Sequence, residues 1–155
     1  MAKILPVGHL REDVIESGVD TYTEQTINTN VNPLNNQILL IHDISIQWYD
    51  TPGLLTEADL AECAILRQSK NAMPNLDDPD VIALRSDSII ISTSGGGLYD
   101  LTKNYHFDPP EPVAVDTLVL AVQGTSLGET LKAAVDIRYT PDKISDAEFI
   151  KLSKS

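Results

Sequence analysis

The chain has 155 residues, 42% of them hydrophobic, and no apolar run near the roughly 18 residues that a membrane-spanning helix needs. Its 23 acidic residues outnumber 11 basic ones and give a formal net charge of −12 at pH 7. An acidic surface repels phosphate, so the charge argues against direct binding to nucleic acid or anionic lipid. Cys63 is the only cysteine, so no internal disulfide can form and folding depends on packing.

The first 20 residues mix apolar and polar side chains without the period of a helix or a strand. We therefore expect residues 1–20 to be an extended arm that lies along a neighbouring molecule, and residues 21–155 to form one domain. Residues 21–29 are rich in Thr and polar on both faces. They predict an edge strand, or a strand that a neighbouring subunit orders.

Residues 38–49 predict a long strand, because apolar and polar side chains alternate along them. The alternation places His42 as the one polar member of an apolar face, with Leu39 and Ile41 on the opposite face. The other members of the His42 face are Ile38, Leu40, Ile44, Ile46 and Trp48.

Residues 56–69 fit a helix that Thr56 would cap, but they also fit a strand. We favour the strand because the surrounding sequence is β, and we expect it to form a hairpin with residues 38–48.

Three more strands follow from the same alternation, at residues 88–94, 117–123 and 131–139. Two short helices are predicted: one where Asp78-Pro79 precedes apolar residues up to Leu84, and one where Ser145 and Glu148 have capping-box spacing. Connections are predicted at the Gly- and Pro-rich positions 32–36, 51–53, 95–97, 109–112 and 140–142. The fold class is therefore all-β: an antiparallel β-sandwich with one or two short helices.

Catalytic and metal-binding motifs are absent from the linear sequence, and we expect a non-enzymatic protein without a cofactor, catalytic or metal site. The three histidines do not pair in metal-ligand spacing, and His42 is best read as a structural histidine in its strand. Asp77, Asp78 and Asp80 form an acidic cluster that favours a helix start, although calcium binding by them stays open.

Laid out in order, the strands resemble those of the single-jelly-roll capsid proteins of icosahedral viruses. The residues that carry the resemblance are TYTEQTINTN, ILLIHDISIQWYD, DPDVIALRSDSIIISTSGGG, TLVLAVQGTS, LKAAVDIRYTP and ISDAEFIKL. The resemblance implies an eight-stranded jelly roll of two Greek keys, whose loops and N-terminal arm make contacts between subunits. It also implies a capsid subunit that assembles with copies of itself into a closed symmetric shell, in a virion formed in the host cytoplasm. The loop predicted between Tyr99 and Pro112 would be one such contact surface.

The N-terminal arm departs from many capsid proteins, because Lys3 and Arg11 are its only basic residues. We therefore expect no direct binding to nucleic acid, and as partners other virion proteins or an internal membrane. Two alternatives remain. A carbohydrate-binding module would expose Trp48 or Tyr99 in a groove, although the apolar face of its strand predicts a buried Trp48. A small β-barrel enzyme would bring His42, His106 and acids together.

Overall fold

A computed structural model describes residues 7–49, 60–88, 102–127 and 130–153. In these ranges there are eight strands, a 3₁₀ turn and one helix. The strands are β1 Gly8–Ile15, β2 Thr23–Asn28, β3 Gln37–Tyr49, β4 Leu60–Leu66, β5 Val81–Ser88, β6 Thr102–Val113, β7 Thr117–Thr125 and β8 Lys132–Lys143. The 3₁₀ turn is Pro33–Asn35 and the helix, α1, is Asp146–Ser153. No helix of the described ranges is long and apolar enough to cross a membrane.

The strands form two four-stranded antiparallel sheets, a first sheet in the order β1-β8-β3-β6 and a second in the order β2-β7-β4-β5. Pairing is nested: β1 pairs with β8, β2 with β7, β3 with β6 and β4 with β5. This is the pattern of one long antiparallel ribbon, folded at the β4–β5 connection and wrapped into a sandwich, which is the jelly-roll arrangement. The predicted all-β, jelly-roll fold class is confirmed.

The core lies between the two sheets and is filled by alternate side chains of the paired strands. Leu118, Leu120 and Val122 of β7 and Val135 and Ile137 of β8 are buried there. β8 was predicted from its strict alternation, which works where one face packs and the other does not. β7 is buried on both faces, because Val119 and Ala121 pack on the opposite side of its sheet.

The two faces of β3 differ from the prediction, because a register shift between Ile41 and Asp43 marks a β-bulge at His42. A bulge adds one residue and so reverses the alternation beyond it. Leu39 and Ile41 therefore point into the same core as Ile44 and the residues after it. The predicted grouping of Ile38 and Leu40 with the later core residues is wrong for this reason.

The N-terminal segment is integrated into the domain, which corrects the predicted arm for the described part of residues 1–20. Residues 8–15 form β1, which pairs with β8 along its whole length. Leu10 and Val14 enter the core, so the inward face of β1 packs within the same molecule. β1 is an edge strand, and only the backbone groups that face β8 are paired in the sheet. Residues 1–6 lie outside the described residues. β2 is an edge strand, as predicted.

The ambiguous segment at residues 56–69 is a strand where it is described, as β4, but its predicted hairpin with β3 is wrong. β4 lies in the second sheet, between β5 and β7. Its near-continuous burial explains why alternation was weak: the β4–β5 loop folds over the outer face of this sheet, where Met73 packs against a second small cluster. The other members of that cluster are Tyr22, Ala64, Leu66, Val81, Leu84, Val119 and Ala121.

Helix prediction succeeded once and failed once. At α1, Ser145 Oγ accepts from Glu148 N at 3.3 Å and Glu148 Oε2 accepts from Ser145 N at 3.2 Å, a reciprocal capping box. The helix predicted after Asp78-Pro79 is instead a turn that leads into β5. The strand predicted at residues 88–94 lies outside the described residues beyond position 88.

Two predicted connections, at residues 109–112 and 140–142, are parts of strands β6 and β8. β6 is an edge strand of the first sheet, where prolines are tolerated because no outer neighbour needs their missing N–H.

Two charged side chains are buried inside this framework, and both join separate elements. Arg85 of β5 is 1% exposed, and its Nη1 donates to Ile46 O of β3 at 2.7 Å, which links the two sheets. Glu16 is 3% exposed and accepts from Thr21 N at 2.8 Å and from Leu131 N at 2.6 Å. It therefore ties the β1–β2 turn to the start of β8. Gly124 leaves room for it, since a Cβ there would lie 2.9 Å from Glu16 Oε1 and 2.6 Å from Leu127 Cδ1.

Candidate assembly surface

His42 has a structural role, as its sequence context predicts. It is the bulged residue of β3, half-buried, with Nε2 2.9 Å from Thr140 Oγ1 of β8. Exposed His106 lies one strand away on β6 and pairs with Asp43, Nδ1 to Oδ1, at 2.6 Å. His42 and His106 thus have different partners on an open sheet, and the structure does not bring them together around one polar site.

The acidic cluster at residues 77–80 is organised by a lysine. Lys70 Nζ lies 3.2 Å from Asp78 Oδ2 and 2.5 Å from Asp80 Oδ2. Hydrogen bonds from Gln68 and Lys70 hold the pKa of Asp80 below its usual value. The cluster therefore fastens the β4–β5 loop over the second sheet. Among the described residues, no group of three or more His, Cys, Asp or Glu could hold a metal ion.

Cys63 and Trp48 are both core residues. Burial raises the pKa of the Cys63 thiol to about 12, so a reactive thiolate is disfavoured at neutral pH. Trp48 is 1% exposed, and its indole Nε1 donates to Asp87 Oδ2 at 2.7 Å. The prediction of a buried Trp48 is confirmed, which removes it as a sugar-binding platform. Tyr99 lies outside the described residues.

The most exposed of the large apolar side chains in the described ranges is Leu34, at 93%. It sits in the 3₁₀ turn between β2 and β3, which was predicted as a connection from its Asn-Pro-Leu-Asn-Asn sequence. Asn32 Oδ1 caps the turn by accepting from Leu34 N at 3.1 Å, and Asn36 N donates to Pro33 O at 3.1 Å. Asn36 takes the left-handed conformation that ends the turn.

Further hydrogen bonds tie this turn to the sandwich. Gln37 Oε1 accepts from Asn32 N at 2.9 Å, and Ile144 N donates to Asn36 O at 3.2 Å. Leu34 is therefore held out into solvent by a fixed scaffold rather than by a loose loop.

A shallow apolar depression lies beside Leu34, with a volume of about 530 Å³. Its far wall is the β6–β7 turn, which buried Thr29 fixes: Thr29 Oγ1 donates to Val115 O at 2.9 Å, and its N donates to Asp116 O at 3.0 Å. We call this surface the Leu34 end. It comprises Val31, Asn32, Pro33, Leu34, Ala114, Val115 and Asp116.

Similarity to known proteins is found in structure and not in sequence. No family model matches the chain, and no curated protein matches it. Among solved structures, the chain is similar to one from the crystal structure of tomato aspermy virus, with 9% sequence identity and a TM-score of 0.46. The similarity covers 95% of this chain and 84% of the other. The jelly-roll assignment rests on this chain's own strand order and pairing.

Proposed function

We propose that this chain is a viral structural protein, a capsid subunit that self-assembles into a closed symmetric shell, and that it is not an enzyme. The observation that carries the proposal is the Leu34 end: a fully exposed leucine on a fixed turn, next to an apolar depression of the same molecule. Jelly-roll sandwiches build viral capsids as well as lectin and cupin domains, so the fold alone does not assign the function.

The Leu34 end suits a contact between identical copies because projection and depression lie side by side. Two copies related by a two-fold axis can each insert Leu34 into the depression of the other, which makes the contact self-complementary. Burial of one leucine side chain contributes about 1.5–3 kcal/mol, and a symmetric contact counts it twice. An exposed apolar residue held in place loses little conformational freedom when it binds.

The chemistry of the described residues favours this function over the alternatives. Trp48 lies in the core, where it cannot stack on a sugar. Asp78 and Asp80, which a calcium site would use, form ion pairs with Lys70. An enzyme would need a converged polar site, whereas His42 and Cys63 have structural environments.

We further propose that the protein resides in a virion assembled in the host cytoplasm, with copies of itself as its principal partners. A net charge of −12 opposes direct contact with a packaged genome. Other virion proteins or an internal membrane would then separate this shell from the nucleic acid.

The test replaces Leu34 by serine and measures particle mass by light scattering across a concentration series. Loss of two leucines per contact raises the concentration needed for assembly by roughly 100-fold to 10,000-fold. Leu34→Met keeps an apolar side chain of similar volume and should assemble like the parent protein. Leu76→Ser is the matched control, because Leu76 is also exposed, at 72%, and lies outside the Leu34 end.

Equal assembly of Leu34→Ser and the parent would show that the Leu34 end is not a subunit contact. A parent protein that stays monomeric across salt and pH would contradict self-assembly itself.

A further inference from the structure

The strand β1 has one unpaired side, because it is an edge strand of the first sheet and no strand of the described ranges pairs with the side that faces away from β8. Glu16 N donates to Leu131 O at 2.9 Å, so the even-numbered residues of β1 direct their backbone groups towards β8 and the odd-numbered ones direct theirs outwards. Asp13 N agrees with this, since it donates at 3.4 Å to the side chain of Glu12. We call the outward N–H and C=O groups of His9, Arg11, Asp13 and Ile15 the β1 edge.

The β1 edge is less protected against an added strand than the opposite edge of the same sheet. There β6 contains Pro109, Pro110 and Pro112, and proline lacks the N–H that an added strand would bind. β1 has no proline, and its eight residues pair with β8 without a register shift. Val7, just before β1, and Ile15, at its end, are apolar and about half exposed. A straight edge of this kind can accept another extended strand.

The side chains of β1 select one antiparallel register with a second copy of β1. Inward residues must lie opposite inward ones for both sandwiches to keep their cores. A register centred on Glu12 places Arg11 opposite Asp13 of the other copy and Leu10 opposite Val14 of the other copy, and the two-fold axis repeats both pairs.

The neighbouring registers lack this match. A register centred on Arg11 places Arg11 opposite Arg11 and Leu10 opposite Glu12. A register centred on Asp13 places Asp13 opposite Asp13 and Val14 opposite Glu12. Like charges directly opposite each other destabilise a strand pair, whereas opposite charges and apolar pairs stabilise it, so the register centred on Glu12 is favoured over these two.

We propose that the β1 edge binds the β1 edge of a second copy in the register centred on Glu12, so that the four-stranded first sheets of the two copies join into one continuous sheet. The occupant follows from complementarity, because each copy supplies both members of the Arg11–Asp13 pair. This contact goes beyond the proposed function: it does not use the Leu34 end, and such a dimer can form with or without a shell.

The residues of the β1 edge are available to a second partner. Arg11 has a 72% exposed side chain and lies 3.4 Å from Asp136 Oδ2. Asp13 is 49% exposed and lies 3.8 Å from Lys132 Nζ. Both ion pairs are long and exposed, so a partner across the two-fold axis adds to them without displacing them.

Glu12 opposes the contact and keeps it weak. Its carboxylate covers Asp13 N, and in the dimer the two Glu12 residues would face each other across the axis. The net charge of −12 on each copy adds a general repulsion. We therefore expect the dimer at high protein concentration, and we expect Glu12→Gln to bind more tightly than the parent.

Disulfide trapping tests the register directly, in the Leu34→Ser background. Glu12 would lie opposite its counterpart in a pair without backbone hydrogen bonds, where the Cα atoms are about 4.5 Å apart, within the range of about 4.4–6.8 Å that a disulfide spans. Glu12→Cys should therefore give a disulfide-linked dimer under mild oxidation. Asp13→Cys is the matched control, because the two Asp13 residues are diagonal neighbours, about 7–8 Å apart, and should give little. Cys63 is buried and should not compete.

Charge reversal tests the pairing, with sedimentation as the measurement of the dimer dissociation constant. Arg11→Asp and Asp13→Arg each turn two attractive pairs into two repulsive ones, and each should weaken the dimer about 10-fold or more. The double variant Arg11→Asp/Asp13→Arg restores the pairs and should return to within about threefold of the parent. Asp13→Arg is the most informative single variant, because it lowers the net negative charge and would strengthen an association governed by net charge alone.

The outcomes separate this contact from the proposed function. Equal dimer yields from Glu12→Cys and Asp13→Cys, or a double reversal as weak as the single ones, would overturn the contact. The amides of Arg11 and Asp13 should exchange more slowly as the protein concentration rises. Fast exchange at every concentration would leave the edge to a strand of another protein and would also overturn it. Shells without a trapped dimer would overturn the contact alone, and a trapped dimer without shells would overturn the proposed function alone.

Discussion

Replacing Arg85 by methionine keeps a long side chain in the core but removes the cation that joins the two sheets. Arg85 Nε donates to Asp87 Oδ2 at 2.7 Å, its Nη1 donates to Ile46 O at 2.7 Å, and its guanidinium lies 4.9 Å from the ring centroid of Trp48. Asp87 also accepts from Trp48, so the variant leaves this carboxylate with one fewer donor.

The cost follows from these contacts. Removing one partner of a buried ion pair destabilises a protein by about 3–5 kcal/mol. Asp87 is 27% exposed, so water compensates part of the loss, and we expect the lower end, about 3 kcal/mol. With an ordinary urea m-value, this change lowers the unfolding midpoint on the order of 1.5 M. Asp87→Asn keeps an acceptor for Trp48 and should cost less, about 1–2 kcal/mol.

The assay is urea unfolding in the Leu34→Ser background, so that subunit contacts do not add to the apparent stability. Trp48 is the only tryptophan, so its fluorescence reports directly on this cluster, and circular dichroism follows the sheets independently. An Arg85→Met midpoint within about 0.3 M of the background protein would refute the claim that Arg85 holds the two sheets together.

Three other predictions concern single groups. Glu16→Ala should lower the free energy of unfolding by about 2–4 kcal/mol, because two buried N–H groups lose a charged acceptor. Glu16→Gln should lower it by roughly half as much, and unchanged stability in both variants would contradict this role of Glu16. The Cys63 thiol should resist a thiol reagent in the native protein and react fully in denaturant, whereas fast native labelling would show that it is accessible. Folding lowers the pKa of Asp80. Its ion pair with Lys70 therefore stabilises the folded protein at pH values above the pKa of Asp80 in the unfolded chain, and this stabilisation is lost as the pH falls. The stability difference between the parent and Asp80→Asn should therefore begin to shrink below about pH 4 and should vanish only below the lowered pKa of Asp80 in the folded protein; a constant difference would argue against the pair.

Sequence patterns predicted most directly the strand whose environment differs between its two faces, β8. They failed where another part of the chain changed that environment. The bulge at His42 reversed the faces of β3, and the β4–β5 loop buried the outer side of β4, which hid its alternation. The helix predicted after Asp78-Pro79 failed because a local start signal does not outweigh sheet pairing with β4. The Ser145–Glu148 capping box succeeded because all of its partners lie within four residues.

The candidate contact surfaces were less accessible to sequence reasoning. The turn that holds Leu34 was predicted from its Asn and Pro residues, but the depression beside it depends on the β6–β7 turn, about 80 residues away. The register of the first sheet was also beyond sequence reasoning, because two of its four strands, β1 and β6, were not predicted as strands.

Electron microscopy of the purified parent protein, at neutral and at mildly acidic pH, tests the central claim most directly. The account predicts uniform closed particles with the symmetry of many identical copies. A homogeneous population of single 16.9 kDa chains under all these conditions would contradict it.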